Sequence, residues 1–218
     1  MELTGKKAVF LGDSITEGAG TSAKESIYLN VLANAAALRE AKNFGISGTR
    51  IAYQKEPYLE YVHLDSLDFC RRFGEMDDDA DIVVVFGGTN DYGHGDAPMG
   101  EMCDRTPDTF YGACHYLFRG LMEKYPTATI VVMTPLHRSD ESAAASLPSK
   151  NVPLSTVVNA IREVAEFYSL PLVDLYATAG IQPQVEASRV ALCPDGLHPN
   201  DEGHKIIASR LLGVLRAL

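Results

Sequence analysis

No stretch of the 218-residue chain approaches the roughly 18 consecutive apolar residues that a membrane-spanning helix requires. Clustered Lys and Arg are absent as well. Only 19 basic residues stand against 29 acidic ones, for a formal net charge of −10. An acidic surface repels polyphosphates, so nucleic acid is not an expected partner, and the charge is read as a solubility feature. Cysteine is scarce and scattered: Cys70, Cys103, Cys114 and Cys193 form no C-x-x-C pair and no zinc-ligand spacing. A chain of this length is stable without cross-links, so free thiols are expected. The first dozen residues lack an apolar core of signal-peptide length, which makes a cytoplasmic protein the expectation. There is no internal repeat, no low-complexity tract and no Gly-x-Ser-x-Gly turn of the α/β-hydrolase kind. Oligomeric state is not legible.

What is present reads as one α/β domain over residues 1–218. Short apolar runs recur at residues 8–11, 82–86, 128–133 and, more briefly, 170–174, with a weaker candidate near 41–44. The unbroken Val/Ile character of the second and third suits strands buried on both faces, the habit of a parallel sheet. Between them lie helical patterns over residues 26–38, 106–125, 153–168 and 201–215. Thr106-Pro107 is a good opening pair for the second, and Asn200 or Asp201 a good cap for the last. Strands alternating with helices of this length predict an open parallel sheet with helices on both faces. Residues 139–151, biased to Ser, Ala and Pro, read as a surface loop within that domain. Ligands bind such sheets at the carboxyl ends of the strands, and polar motifs stand there.

Gly12-Asp13-Ser14 follows the first run directly. A serine hydroxyl becomes a nucleophile only with a base, an orienting group for that base and donors for the oxyanion; without these the motif is an ordinary helix start. Residues 43–49 (NFGISGT) follow the weak strand, where Gly45 or Gly48 could present a backbone N–H to a ligand. Residues 86–91 (FGGTND) follow the most convincing strand, and the Asn90 amide suits a developing negative charge. Asp195 stands three residues before His198, close enough for its carboxylate to hold Nδ1–H and leave Nε2 for serine. Pro199 keeps His198 out of the following helix.

Taken together, Gly12-Asp13-Ser14, Gly48, Gly88-Thr89-Asn90-Asp91 and Asp195-x-x-His198 resemble the four blocks of the GDSL/SGNH hydrolases, in their usual order, from residue 8 to the end. The resemblance implies a flavodoxin-like three-layer α/β/α sandwich with a five-stranded parallel sheet. It implies a Ser14–His198–Asp195 triad and an oxyanion hole made by the Ser14 and Gly48 N–H groups and the Asn90 side chain, with Gly45 a competitor to Gly48. It implies hydrolysis of an ester through an acyl-enzyme, with no cofactor and no metal. Small acyl esters, including O-acetyl groups on carbohydrates, are the first expected substrates, and lysophospholipids or thioesters the second.

Asp13, Asp91, Tyr92 and His94 are candidate substrate contacts. The segments 49–68 and 92–105 are expected to border the pocket, the second with enough Gly, Pro and Met for a mobile lid. Two other classes stay open. Asp13, Asp91, His94, Asp96, Asp195, His198 and His204 supply ligand types for a metal-dependent phosphoesterase, although their spacing is not specific. A binding module would keep the fold without turnover.

Overall fold

The computed structural model describes residues 1–55, 68–145 and 151–218. The apolar runs form β1 (Lys7–Gly12), β2 (Glu40–Gly45), β3 (Ile82–Phe86), β4 (Thr129–Met133) and the two-residue β5 (Leu172–Val173). All neighbours pair in parallel, in the order β2-β1-β3-β4-β5. Helices α1 (Ser14–Glu17) and α2 (Tyr28–Ala36) follow β1, and α3 (Phe69–Arg72) follows β2. Helices α4 (Thr89–His94) and α5 (Phe110–Lys124) follow β3, and α6 (Leu154–Phe167) follows β4. The chain closes with α7 (Leu175–Thr178), α8 (Glu186–Leu192) and α9 (Asp201–Ala217). This is the expected three-layer sandwich.

Successive strand residues point to opposite faces, and both faces are dry. Val9, Leu11, Val83, Val85, Ile130 and Val132 share one core with Phe110, Leu117, Val157 and Ile161 of α5 and α6. Ala8, Phe10, Ile82, Val84, Val131 and Met133 share the other with Leu29, Leu32, Ile207 and Leu211 of α2 and α9. That is why the β3 and β4 runs carry no alternating polar residues. Strand β2 sits at the edge instead, with Glu40, Lys42 and Asn43 exposed.

Two expectations about local structure are corrected. Helix α5 starts later than Thr106-Pro107 suggests, because Thr109 is its cap: Thr109 Oγ1 accepts from the Gly112 N–H at 3.1 Å and donates to Asp104 Oδ2 at 2.8 Å. The expected lid is tied down as well. Residues 92–94 belong to α4, Ala97 is buried, and Pro98 O and Met99 O accept from the N–H groups of Phe110 and Tyr111. Of the other segment expected at the pocket, residues 56–67 lie outside the described residues, as do residues 146–150 of the 139–151 loop.

All four cysteines are free thiols, with Cys70, Cys114 and Cys193 buried and Cys103 exposed. Among the described residues no helix is long and apolar enough to cross a membrane. The strand register aligns the ends that matter for chemistry: Gly12 at the end of β1 lies opposite both Gly45 and Phe86. The chain therefore leaves β1, β2 and β3 at one level, and the segments bearing Ser14, Gly48 and Asn90 depart side by side.

Candidate active site

Ser14 is the first residue of α1, and Asp13 caps that helix by accepting from the Ile15 N–H at 3.1 Å. A residue at this position has no intrahelical partner for its N–H, so Ser14 offers both a hydroxyl and a free backbone donor. The hydroxyl lies 2.9 Å from His198 Nε2. On the far side of the ring, Nδ1 lies 2.7 Å from Asp195 Oδ2. Asp195 Oδ1 accepts from the backbone N–H groups of Leu197 and His198 at 2.8 and 2.7 Å. Partial burial pushes the Asp195 carboxyl up, but those N–H groups and the imidazole outweigh it and hold the carboxyl below its ordinary value. A carboxylate facing Nδ1 places the ring proton there and leaves Nε2 as an acceptor for the serine proton.

A cleft of about 550 Å³ opens over this group, with Ser14, Gly48, Asn90, His94, Arg138 and His198 among its walls. Gly48 and Gly45 separate cleanly. Gly48 takes φ +76°, a conformation open to glycine, and reaches the cleft. Gly45 gives its N–H to Asn43 Oδ1 at 2.7 Å and packs beneath α1, where a Cβ would fall 2.2 Å from the Glu17 nitrogen. Asn90 sits in the first turn of α4 and donates from Nδ2 to Thr49 O at 3.0 Å, while its Oδ1 lies 3.1 Å from His94 Nε2.

Of the four candidate substrate contacts, His94 alone lines the cleft. The other three are corrected, because each is buried and engaged internally. Asp13 caps α1. The Asp91 oxygens accept from the Ile51 and Ala52 N–H groups at 2.8 and 3.0 Å, anchoring the segment beyond Gly48. Tyr92 is fully buried and donates its hydroxyl to Ser142 O at 2.8 Å. Among the described residues, no three His, Cys, Asp or Glu side chains converge as a metal site would require.

Three arginines escaped the sequence reading. Arg138 reaches the cleft from the loop after β4, a strand end where a ligand-facing residue is to be expected. Arg50 stands 3.0 Å from His94 Nδ1 through its Nε. Arg72 is buried beneath the site and donates to Gly12 O at 2.5 Å, to Thr49 Oγ1 at 2.9 Å and to Phe44 O, drawing together the segments after β1 and β2. Burial lowers its guanidinium to about 10, so it is still charged at neutral pH.

Asp13 carries a measurable consequence. Burial raises its carboxyl to about 7, against the Ile15 N–H, His198 and Arg72, which lower it, and with Asp91, which raises it. The folded state therefore holds a proton that the unfolded chain releases near 3.8. Stability from this group is complete below about pH 4 and is lost as pH rises through about 7. Asp13→Asn keeps an acceptor for Ile15 and removes the ionisation, so it should gain about 1–4 kcal/mol on wild type between pH 4 and 8. Urea unfolding at both pH values checks this, and parallel profiles would refute it.

The GDSL-like lipase/acylhydrolase family model matches residues 10–206. No curated protein sequence is similar enough to count as a relative. Among solved structures, a protein from Lactobacillus plantarum is 30% identical, with a TM-score of 0.83 over 99% of this chain and 98% of that one. A protein from Chitinophaga pinensis described as a possible lipase is 25% identical, with a TM-score of 0.68 over 97% and 98%. A carbohydrate acetylesterase family member from Sinorhizobium meliloti shares the fold at 20% identity, with a TM-score of 0.67 over 97% and 98%.

Proposed function

The chain belongs to the GDSL-like lipase/acylhydrolase family, whose members hydrolyse esters, and from that premise we propose that it is a serine esterase acting on small acyl esters. The observation that carries the reading is the hydrogen-bonded series Ser14–His198–Asp195 on the wall of a cleft that also holds Gly48 and Asn90.

In this reading His198 Nε2 takes the Ser14 proton as Oγ attacks the ester carbonyl. The oxyanion is received by the Ser14 and Gly48 N–H groups and by the second Nδ2 hydrogen of Asn90, whose first is held by Thr49 O. His198 then protonates the departing alcohol, and a water activated by the same nitrogen releases the acid from Ser14. Asp195 stabilises the imidazolium throughout. The residues carry out both half-reactions and need no added group.

Among the described lining residues, Ala19 and Leu197 alone have aliphatic side chains. Those two side chains offer an acyl group a short apolar wall. Arg138 and Ser47 suit an alcohol rich in hydroxyls, so acetyl groups on carbohydrates come first among the substrates.

A fluorophosphonate probe should label Ser14 in stoichiometric amount and abolish p-nitrophenyl acetate hydrolysis, with EDTA leaving that hydrolysis intact. The octanoate ester should be turned over with a kcat/KM no higher than that of the acetate, because methylenes beyond the short apolar wall add none of the roughly 0.8 kcal/mol that each buried one would gain. An unlabelled Ser14 would overturn the serine mechanism. A preference for octanoate would overturn the substrate class.

A further inference from the structure

Resting on the reading of Asn90 as an oxyanion donor, we propose that His94 is a positioning residue that locks the Asn90 amide with its N–H toward the cleft, and that Arg50 fixes the His94 tautomer that makes this possible. The problem is set by chemistry. A carboxamide is nearly symmetric in shape but opposite in polarity at its two ends, so a flipped Asn90 would turn a carbonyl oxygen toward the oxyanion.

The surroundings forbid the flip twice. Asn90 Oδ1 lies 3.1 Å from His94 Nε2, and Asn90 Nδ2 lies 3.0 Å from Thr49 O. Rotating the amide would set N–H against N–H at the first contact and oxygen against oxygen at the second. The first prohibition holds only if His94 carries its proton on Nε2. Arg50 sees to that. Its Nε and Nη2 stand 3.0 and 2.7 Å from His94 Nδ1, and a guanidinium has donors alone, so Nδ1 must be the unprotonated nitrogen.

The circuit closes on itself. Arg50 follows Thr49 in the chain, so one short segment supplies both the carbonyl that holds Asn90 Nδ2 and the cation that orients His94. Asn90 and His94 are four residues apart on α4, the spacing that places two side chains on one helical face. Arg50 is 3% exposed and His94 reaches the cleft edge, so the contacts lie between the protein interior and the reacting atoms.

The experiment compares kcat and KM for p-nitrophenyl acetate across wild type, Asn90→Ala, His94→Phe, His94→Gln and the Asn90→Ala/His94→Phe double variant. Ser14→Ala serves as a control, and each protein is checked for native melting. His94→Phe should lower kcat about ten- to a hundredfold with KM within about twofold, the range found when a group that orients a metal ligand is removed. His94→Gln, whose amide N–H reaches the place of Nε2–H, should recover most of the loss. The double variant should be no slower than Asn90→Ala, because without the amide there is nothing left to orient.

An unchanged kcat in His94→Phe overturns the proposal. So does a loss that multiplies with that of Asn90→Ala, or one confined to KM, which would mark a direct substrate contact. If His94→Phe fails to fold, the comparison of His94→Gln with His94→Asn decides: the shorter Asn cannot reach Oδ1 and should be at least tenfold slower, and equal rates refute the idea. Undiminished activity in Ser14→Ala would overturn the serine esterase reading itself. An unaltered kcat in Asn90→Ala would remove the oxyanion role on which this inference stands. Losses in those two with silent His94 variants would overturn the positioning role alone.

Discussion

Ser14→Ala is expected to lower kcat for p-nitrophenyl acetate by about 10⁵–10⁶-fold, the size of effect seen when the nucleophile of a serine hydrolase is removed. The substitution deletes the one atom proposed to attack, and little else. Ser14 Oγ is hydrogen-bonded to His198 Nε2, whereas α1 is capped by Asp13 and its backbone is untouched. Melting temperature should therefore stay within a few degrees of wild type. A residual rate of about 10³ over water would persist, from Gly48, Asn90 and the Ser14 N–H acting on the carbonyl without a nucleophile. Undiminished turnover in a native-melting variant would defeat the assignment.

Asp195→Asn should lower kcat by about 10⁴ while leaving KM close to its starting value. The two carboxylate oxygens have separate tasks. Oδ1 serves the Leu197 and His198 backbone N–H groups, and Oδ2 serves His198 Nδ1. Asparagine has one acceptor for both. If its oxygen stays with the backbone, its NH₂ faces Nδ1, the ring proton moves to Nε2, and Ser14 meets a donor where it needs a base. If the amide turns over, two backbone N–H groups lose their partner and the turn that carries His198 loosens. The first outcome turns the base into a donor and the second displaces it, so the rate of fluorophosphonate labelling should fall with kcat. A fall of less than tenfold in both would mean that Asp195 does not orient the ring.

How much of the fold and site was legible in the chain depends on what each residue faces. Strands β3 and β4 read clearly because Val83, Val85, Val131 and Val132 are buried whichever way they point. Strand β2 read weakly because an edge strand keeps Glu40, Lys42 and Asn43 in water. Helices α6 and α9 announced themselves by an apolar stripe, whereas α1 and α4 are four and six residues long and begin on the residues of the site itself, too short to show a period. Asp195 and His198 were readable because their contact is local. Ser14, Gly48 and Asn90 gained meaning only jointly, through motif order and resemblance.

Asp13, Asp91 and Tyr92 were misjudged because a polar residue beside a motif looks the same whether it faces a ligand or satisfies buried N–H groups. Arg50, Arg72 and Arg138 belong to no motif, and their roles come from contacts across the fold: Arg72 reaches Gly12 O from 60 residues away. No local signal encodes that.

The bond between Ser14 and His198 spans 184 residues. During synthesis Ser14, the proposed nucleophile, and the segments bearing Gly48 and Asn90 leave the ribosome long before His198, the proposed base, and α9, which comes after it, must still settle against α2 through Ile207 and Leu211. On the proposed mechanism, a nascent chain stalled before residue 198 should be silent toward esters. The onset of hydrolysis in a translation or refolding reaction would time the docking of the C-terminal helix, making the enzyme its own clock for the last step of assembly.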